Sequence, residues 1–320
     1  MTAKALISRR FSTLLTIVMM LSVLIGSAAF PTNARAASIT VTTLADDTAL
    51  DGQCSLREAI INANNDDATH ADCFTGTGAD IISFSDALGT ATITLTSALP
   101  NITDLDGLTI NGGEDITVSG NNLYQVFYVN EGVPLTLDSL TVANGYSATE
   151  GGGVGNYGGN LTITKSTFSD NSATDYPGNG GGVFNTWGIL TITNSAFSGN
   201  SATNGGGVWN EGSLTITNST FSGNSAAYDG GGVGGVINGG TLTITNSTFS
   251  GNSAIEGGGL YNSYWNDNDS TINKSTFSDN SATEYGGGVS NSGMLTITNS
   301  TFSGNSATKN PSTTSPKRHS

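Results

Sequence analysis

Positive charge is the scarcest ingredient of this chain. Between Ala37 and Ala307 the only Lys or Arg residues are Arg57, Lys165 and Lys274. Against them stand 25 Asp and Glu residues, and the formal net charge is −15. A surface this acidic repels phosphate backbones and anionic lipid, which argues against nucleic acid as a partner. Neutral glycans, cell-surface proteins and metal cations remain open. Charged residues make up only 11% of the chain, too few for long amphipathic helices. Histidine is limited to His70 and His319, and neither His-Glu-x-x-His nor Gly-x-Ser-x-Gly occurs. Zinc-protease and serine-hydrolase signatures are therefore missing, and no catalytic residue or cofactor is assigned. Gly153-Val-Gly-Asn-Tyr-Gly158 has the glycine spacing of a dinucleotide site but leads into Leu-Thr-Ile-Thr, a strand rather than the required helix.

Long apolar runs are missing after residue 36. Before it, Lys4, Arg9 and Arg10 precede the apolar stretch Leu14–Ile25, and Ala34-Arg-Ala36 offers a small-x-small cleavage site. This pattern predicts an export signal over 1–36 and a secreted or cell-surface protein without a later membrane span. An uncleaved anchor is the alternative, since Phe11–Phe30 is nearly long enough to cross a bilayer. Cleavage would leave 6 basic residues against 25 acidic ones, a net charge of −19. Cysteine is limited to Cys54 and Cys73. An oxidising compartment suits one bridge between them, with two free thiols as the alternative.

Glycine, at 44 residues, is abundant, and it punctuates a repeat. Leu214-Thr-Ile-Thr-Asn-Ser-Thr-Phe-Ser-Gly-Asn-Ser-Ala226 recurs from Leu190, Leu242 and Leu295, with looser copies from Leu161 and Ser270. Successive starts lie 29, 24, 28, 28 and 25 residues apart, and most joins read Gly-Gly-Gly-Val/Leu-x-Asn. Such a period means a solenoid of stacked supersecondary units. In Leu-Thr-Ile-Thr the apolar residues share one face of a strand and the threonines the other. Phe168, Phe197, Phe221, Phe249, Phe277 and Phe302 are expected to stack inside. The asparagines three residues after them are expected to hydrogen-bond along the axis. Three short parallel strands per turn predict a right-handed parallel β-helix, the hand favoured for such crossovers.

At the N-terminal side, Ser55 and Glu58 have capping-box spacing, and Leu56, Ala59, Ile60 and Ala63 share a helical face. A short helix covering the first coil is predicted over about 54–64. The segment Cys54-Ser-Leu-Arg-Glu-Ala-Ile60 resembles the signature of exported bacterial CSLREA-domain proteins. There it precedes a right-handed parallel β-helix of the pectin-lyase-like kind. The Phe-Ser-Gly-Asn-Ser and Gly-Gly-Gly-Val copies resemble the FxxN and GGA[IV] repeats of chlamydial polymorphic outer-membrane proteins, with a third Gly where Ala is usual. The resemblances imply an all-β scaffold and a surface role. The resulting organisation is a signal at 1–36, a cap at 37–79, β-helix repeats at 80–307 and a polar tail at 308–320. The last repeat has no glycine join, so its end is expected to be open to another copy or to further chain. Oligomeric state is not legible.

Function is weighed among an adhesive, recognition or structural role without catalysis, a polysaccharide lyase or hydrolase on the same scaffold, and ice binding by the Thr-x-Thr pairs. Glu150, Asp175, Asp229, Glu256 and Glu284 supply join carboxylates, but Lys165 and Lys274 lie too many coils apart to meet at one bond. Asp267 and Asp269 are candidate ligands for calcium, the one cofactor weighed. Phe184, Trp209, Tyr261 and Trp265 are the candidate ligand surface. Gly155, Phe184, Trp209, Gly234, Tyr261 and Ser290 share the outward join position. The alternative for these aromatics is mutual stacking that merely covers the helix side. Any specific function is expected where the copies disagree, at 174–187, 203–211, 227–238 and 255–270.

Overall fold

The computed structural model describes residues 36–227, 235–263 and 269–308. Asp229, Gly234, Trp265, Asp267, residues 1–35 of the predicted signal and residues 309–320 of the tail lie outside the described residues. The fold is an all-β parallel solenoid, a right-handed parallel β-helix as expected, with a single α-helix among the described residues.

Four parallel sheets run along it. A Leu–Ile sheet of 10 strands extends from Ser38–Val41 to Leu295–Thr298, and a Phe sheet of 9 from Ala91–Thr94 to Thr301–Ser303. A Ser-Ala sheet of 7 two- to five-residue strands runs from Tyr146–Ser147 to Ser306–Ala307. A join sheet of 7 runs from Phe127–Val129 to Val289–Asn291. Three strands per turn is therefore corrected to four in the regular coils. The extra one is Ser-Ala, too short to show an alternation in sequence.

Period two sorts the side chains as expected. Leu214, Ile216 and Phe221 are buried, and Thr215 and Thr217 point outward. The phenylalanines stack one coil apart with ring centroids 4.6–5.0 Å from each other. Besides the join glycines Gly151, Gly180, Gly205, Gly257 and Gly286, two corners of the repeat itself need a left-handed backbone. One is taken by Asn194, Asn218, Asn246 and Asn299, with φ of 50–51°. The other is taken by Gly199, Gly223, Gly251 and Gly304, with φ of 60–65°. These are the residues that tolerate such φ at least cost, which explains two letters of the repeat.

Three polar ladders satisfy the corners. In the expected one, Asn224 Oδ1 accepts from the Asn200 backbone N–H at 3.1 Å and side-chain amide at 2.9 Å. Its own amide nitrogen donates to Asn252 Oδ1 at 2.9 Å and to the Phe197 carbonyl at 3.0 Å. A second ladder, not anticipated, joins Asn156, Asn185, Asn210, Asn238, Asn262 and Asn291 through amide contacts of 2.6–3.0 Å. It starts at Asn156, whose buried Oδ1 meets no donor because its register partner one coil back is Val129. A third links backbone N–H groups to serine Oγ atoms, from Ser166 to Ser300.

The helix α1, Leu56–Asn65, buries Leu56, Ala59, Ile60 and Ala63 against the first strands of the Leu–Ile sheet. Its capping box is formed: Glu58 N–H donates to Ser55 Oγ at 3.1 Å and Ser55 N–H to Glu58 Oε2 at 3.0 Å. Cys54 and Cys73 are bridged, which settles the choice against free thiols. No helix among the described residues is long and apolar enough to cross a membrane.

Candidate functional site

The outward face of the join sheet is built from residues that alternate with the second asparagine ladder. Val183 and Asn185 point inward, so Phe184 points out, and the register carries that position to Trp209, Ile237 and Tyr261. Ile237 occupies the place expected for Gly234, because the coil uses Gly235-Val236-Ile237-Asn238 as its join. Phe184 is only 4% exposed and Trp209 8%, and with Ile237 they form an apolar cluster flanked by Tyr157 and Tyr261. Phe184 and Trp209 are therefore covered and not open, which is the mutual stacking weighed as the alternative for them. Neighbouring coils hold these large rings about one strand spacing apart, so they cover each other. Tyr261 remains half-buried at the edge of the cluster, and Trp265 lies outside the described residues.

An aromatic surface does exist, one step toward the cap. Tyr128 and Tyr157 stack with centroids 4.7 Å apart and ring planes 16° from parallel. Gly155 presents no side chain there, and Gln125 Nε2 and the Tyr157 ring take the space, 2.8 and 3.0 Å from where a Cβ would stand. Trp187 follows the strand Val183–Thr186 at φ 55° and is 86% exposed. With Asn130, Glu131 and Gly158, these three aromatics line an open groove of about 520 Å³. Tyr157 OH donates to Glu150. Burial, that hydrogen bond and the Glu150 charge all push the phenol upward, so it stays protonated. The groove therefore offers ring faces, a hydroxyl, an amide and a carboxylate on rigid strands or directly beside them.

Two of the described join carboxylates accept hydrogen bonds from tyrosine hydroxyls. Glu150 is engaged by Tyr157, and Asp175 accepts from Tyr146 OH at 3.2 Å. Glu256 is pushed upward by burial and then by Glu284 alongside it. Asp269 precedes the strand Ser270–Asn273, while its expected partner Asp267 lies outside the described residues. The threonines form a register column: Thr162, Thr191, Thr215, Thr243, Thr271 and Thr296.

At the capped end, Arg57 makes a two-pronged ion pair with Asp46 at 2.9 Å and donates to the carbonyls of Ser97 and Ala98. His70 Nδ1 sits 3.5 Å from the buried Glu58 carboxylate. Burial raises the carboxyl of Asp104 to about 6.

Residues 165–186 and 274–292 match the Chlamydia polymorphic membrane protein repeat. Both stretches begin at a left-handed lysine corner, Lys165 or Lys274, and run through the Phe and Ser-Ala strands into the join strand. The likeness is thus to most of one coil, twice over, and covers well under half of the chain. No curated protein and no solved structure matches it.

Sequence reasoning named 174–187 as a place to look, and Trp187 closes that segment. It did not single out Trp187, Tyr128 or Tyr157. The available signal was a tryptophan in the turn after the join, where Glu211 and Gly239 stand in the next coils.

Proposed function

We propose that this protein is a surface-displayed, adhesin-like β-helix that binds neutral glycans along the Tyr128–Tyr157–Trp187 groove without cleaving them. The observation that carries the reading is Trp187, a large aromatic left almost wholly open beside a stacked tyrosine pair in one groove. Exposed ring faces of this kind mark contact surfaces, and hydroxyl, amide and carboxylate neighbours give them orientation. The acidic surface disfavours anionic polysaccharide and leaves neutral sugar chains as the occupant. The repeat likeness and the predicted export signal support surface display. In this reading the CSLREA segment supplies the cap over which the rod begins.

The test is retention of the protein on a panel of immobilised polysaccharides, with reducing and unsaturated ends measured in parallel. Retention on a neutral glycan, lost at least about tenfold in Trp187→Ala, supports the reading. Retention on none, or retention unchanged by that variant, removes it. New chain ends would instead establish a lyase or hydrolase. The threonine column supports a second reading, ice binding, for which measurable thermal hysteresis is the required result.

A further inference from the structure

Among the described residues, one set of three carboxylates converges. One oxygen from each of Asp66, Asp104 and Asp106 lies within 4.8 Å of the others. They arrive from separate parts of the chain. Asp66 caps the C-terminus of α1 in a left-handed conformation, and its Oδ1 accepts from Gly78 N–H at 2.6 Å. Asp104 and Asp106 flank Leu105 in the turn before the strand Leu108–Asn111, where Asp104 Oδ1 accepts from Asp106 N–H at 2.8 Å. Asp80, 1% exposed, adds a further negative charge nearby.

Acidic clusters alone are common; Asp104 distinguishes this one. It is 4% exposed, and its Oδ2 is buried without any hydrogen-bond partner. A buried carboxylate oxygen with nothing donating to it is a costly arrangement unless a cation completes it. No side chain does so, since the ion pairs of the described residues are Arg57–Asp46 and His70–Glu58. Oxygens on opposite sides of one calcium ion stand about 5 Å apart and adjacent ones closer, which the spacing of these three accommodates. Magnesium demands near-ideal octahedral geometry and sheds its water reluctantly, whereas calcium accepts irregular oxygen sets of this kind.

We propose that Asp66, Asp104 and Asp106 bind one calcium ion, with water in the remaining positions, and that the ion fastens the C-terminus of α1 to the first coils. This site is separate from the glycan groove and from Asp267 and Asp269.

The test uses the full chain, stripped with a chelator and titrated with calcium by calorimetry while the melting temperature is followed. Magnesium serves as a second arm. Calcium is expected to bind at one site and to raise the melting temperature by about 5 °C at a hundredfold excess over Kd. Asp104→Asn, which keeps the side-chain shape, should weaken binding at least about tenfold. Asp66→Asn should do the same while keeping a residue suited to a left-handed cap. Asp269→Asn should behave as the unmodified protein. The proposal is overturned by any of four results: no calcium response, an undiminished response in both site variants, an equal response to magnesium, or loss of the response in Asp269→Asn.

Discussion

A single amide in the inner ladder serves two coils at once. Asn224 accepts two hydrogen bonds from Asn200 and donates to Asn252 and Phe197. Asn224→Ala leaves several of these partners buried and unmatched, so a loss of about 2–4 kcal/mol is expected by chemical denaturation. The glycine beside it is constrained differently. A Cβ on Gly223 would meet nothing within 4 Å, but its φ is +62°. Gly223→Ala should therefore cost about 1–2 kcal/mol through the backbone alone, and Gly223→Asn less, by the same measurement. Asp170 and Asp279 already occupy equivalent corners at positive φ. The inner asparagines were legible because they recur after each phenylalanine. Those of the join recur as well, in Gly-Gly-Gly-Val-x-Asn, but an Asn beside a glycine run reads as turn chemistry, and it is their burial that shows them pointing inward.

Both ion pairs of the described residues, Arg57–Asp46 and His70–Glu58, lie in the cap. Burial alone would raise the Asp46 carboxyl, but hydrogen bonds from Arg57 and Thr96 and the Arg57 charge outweigh it and hold it below its ordinary 3.8. A carboxylate lowered on folding contributes stability above its unfolded pKa and loses it as pH falls through the lowered value. Melting temperature measured against pH should therefore drop below about pH 4, and the drop should be shallower in Asp46→Asn. Cys54→Ser opens a bridge spanning 19 residues, for which an expected loss of about 3 kcal/mol is readable by denaturation under non-reducing conditions. The capping box and apolar face of α1 were plain in the order Ser55, Leu56, Glu58, Ala59, Ile60. The aspartate cluster was not, because Asp66 ends α1 while Asp104 and Asp106 share a turn nearly forty residues on, and no spacing rule connects the two places. The Ser-Ala strand likewise escaped notice, since two residues cannot display a period.

Across the whole solenoid, stability is distributed coil by coil, each contacting its neighbours. Phe221 is fully buried between Phe197 and Phe249, whereas Phe302, in the last described coil, is 43% exposed. Phe221→Ala should cost about 3–5 kcal/mol and Phe302→Ala markedly less, compared by denaturant midpoint. The direction of the hydrogen bonds has a mechanical consequence. Every ladder and every strand pairing described above links one coil to the next, along the axis. A pull on the two ends loads these links in series, so the rod should yield by unwinding one coil at a time. Each of the measured repeats, 24 to 29 residues long, would release about 80–100 Å of chain. A tether built this way gives way gradually under load, lengthening many times over before its last coil opens.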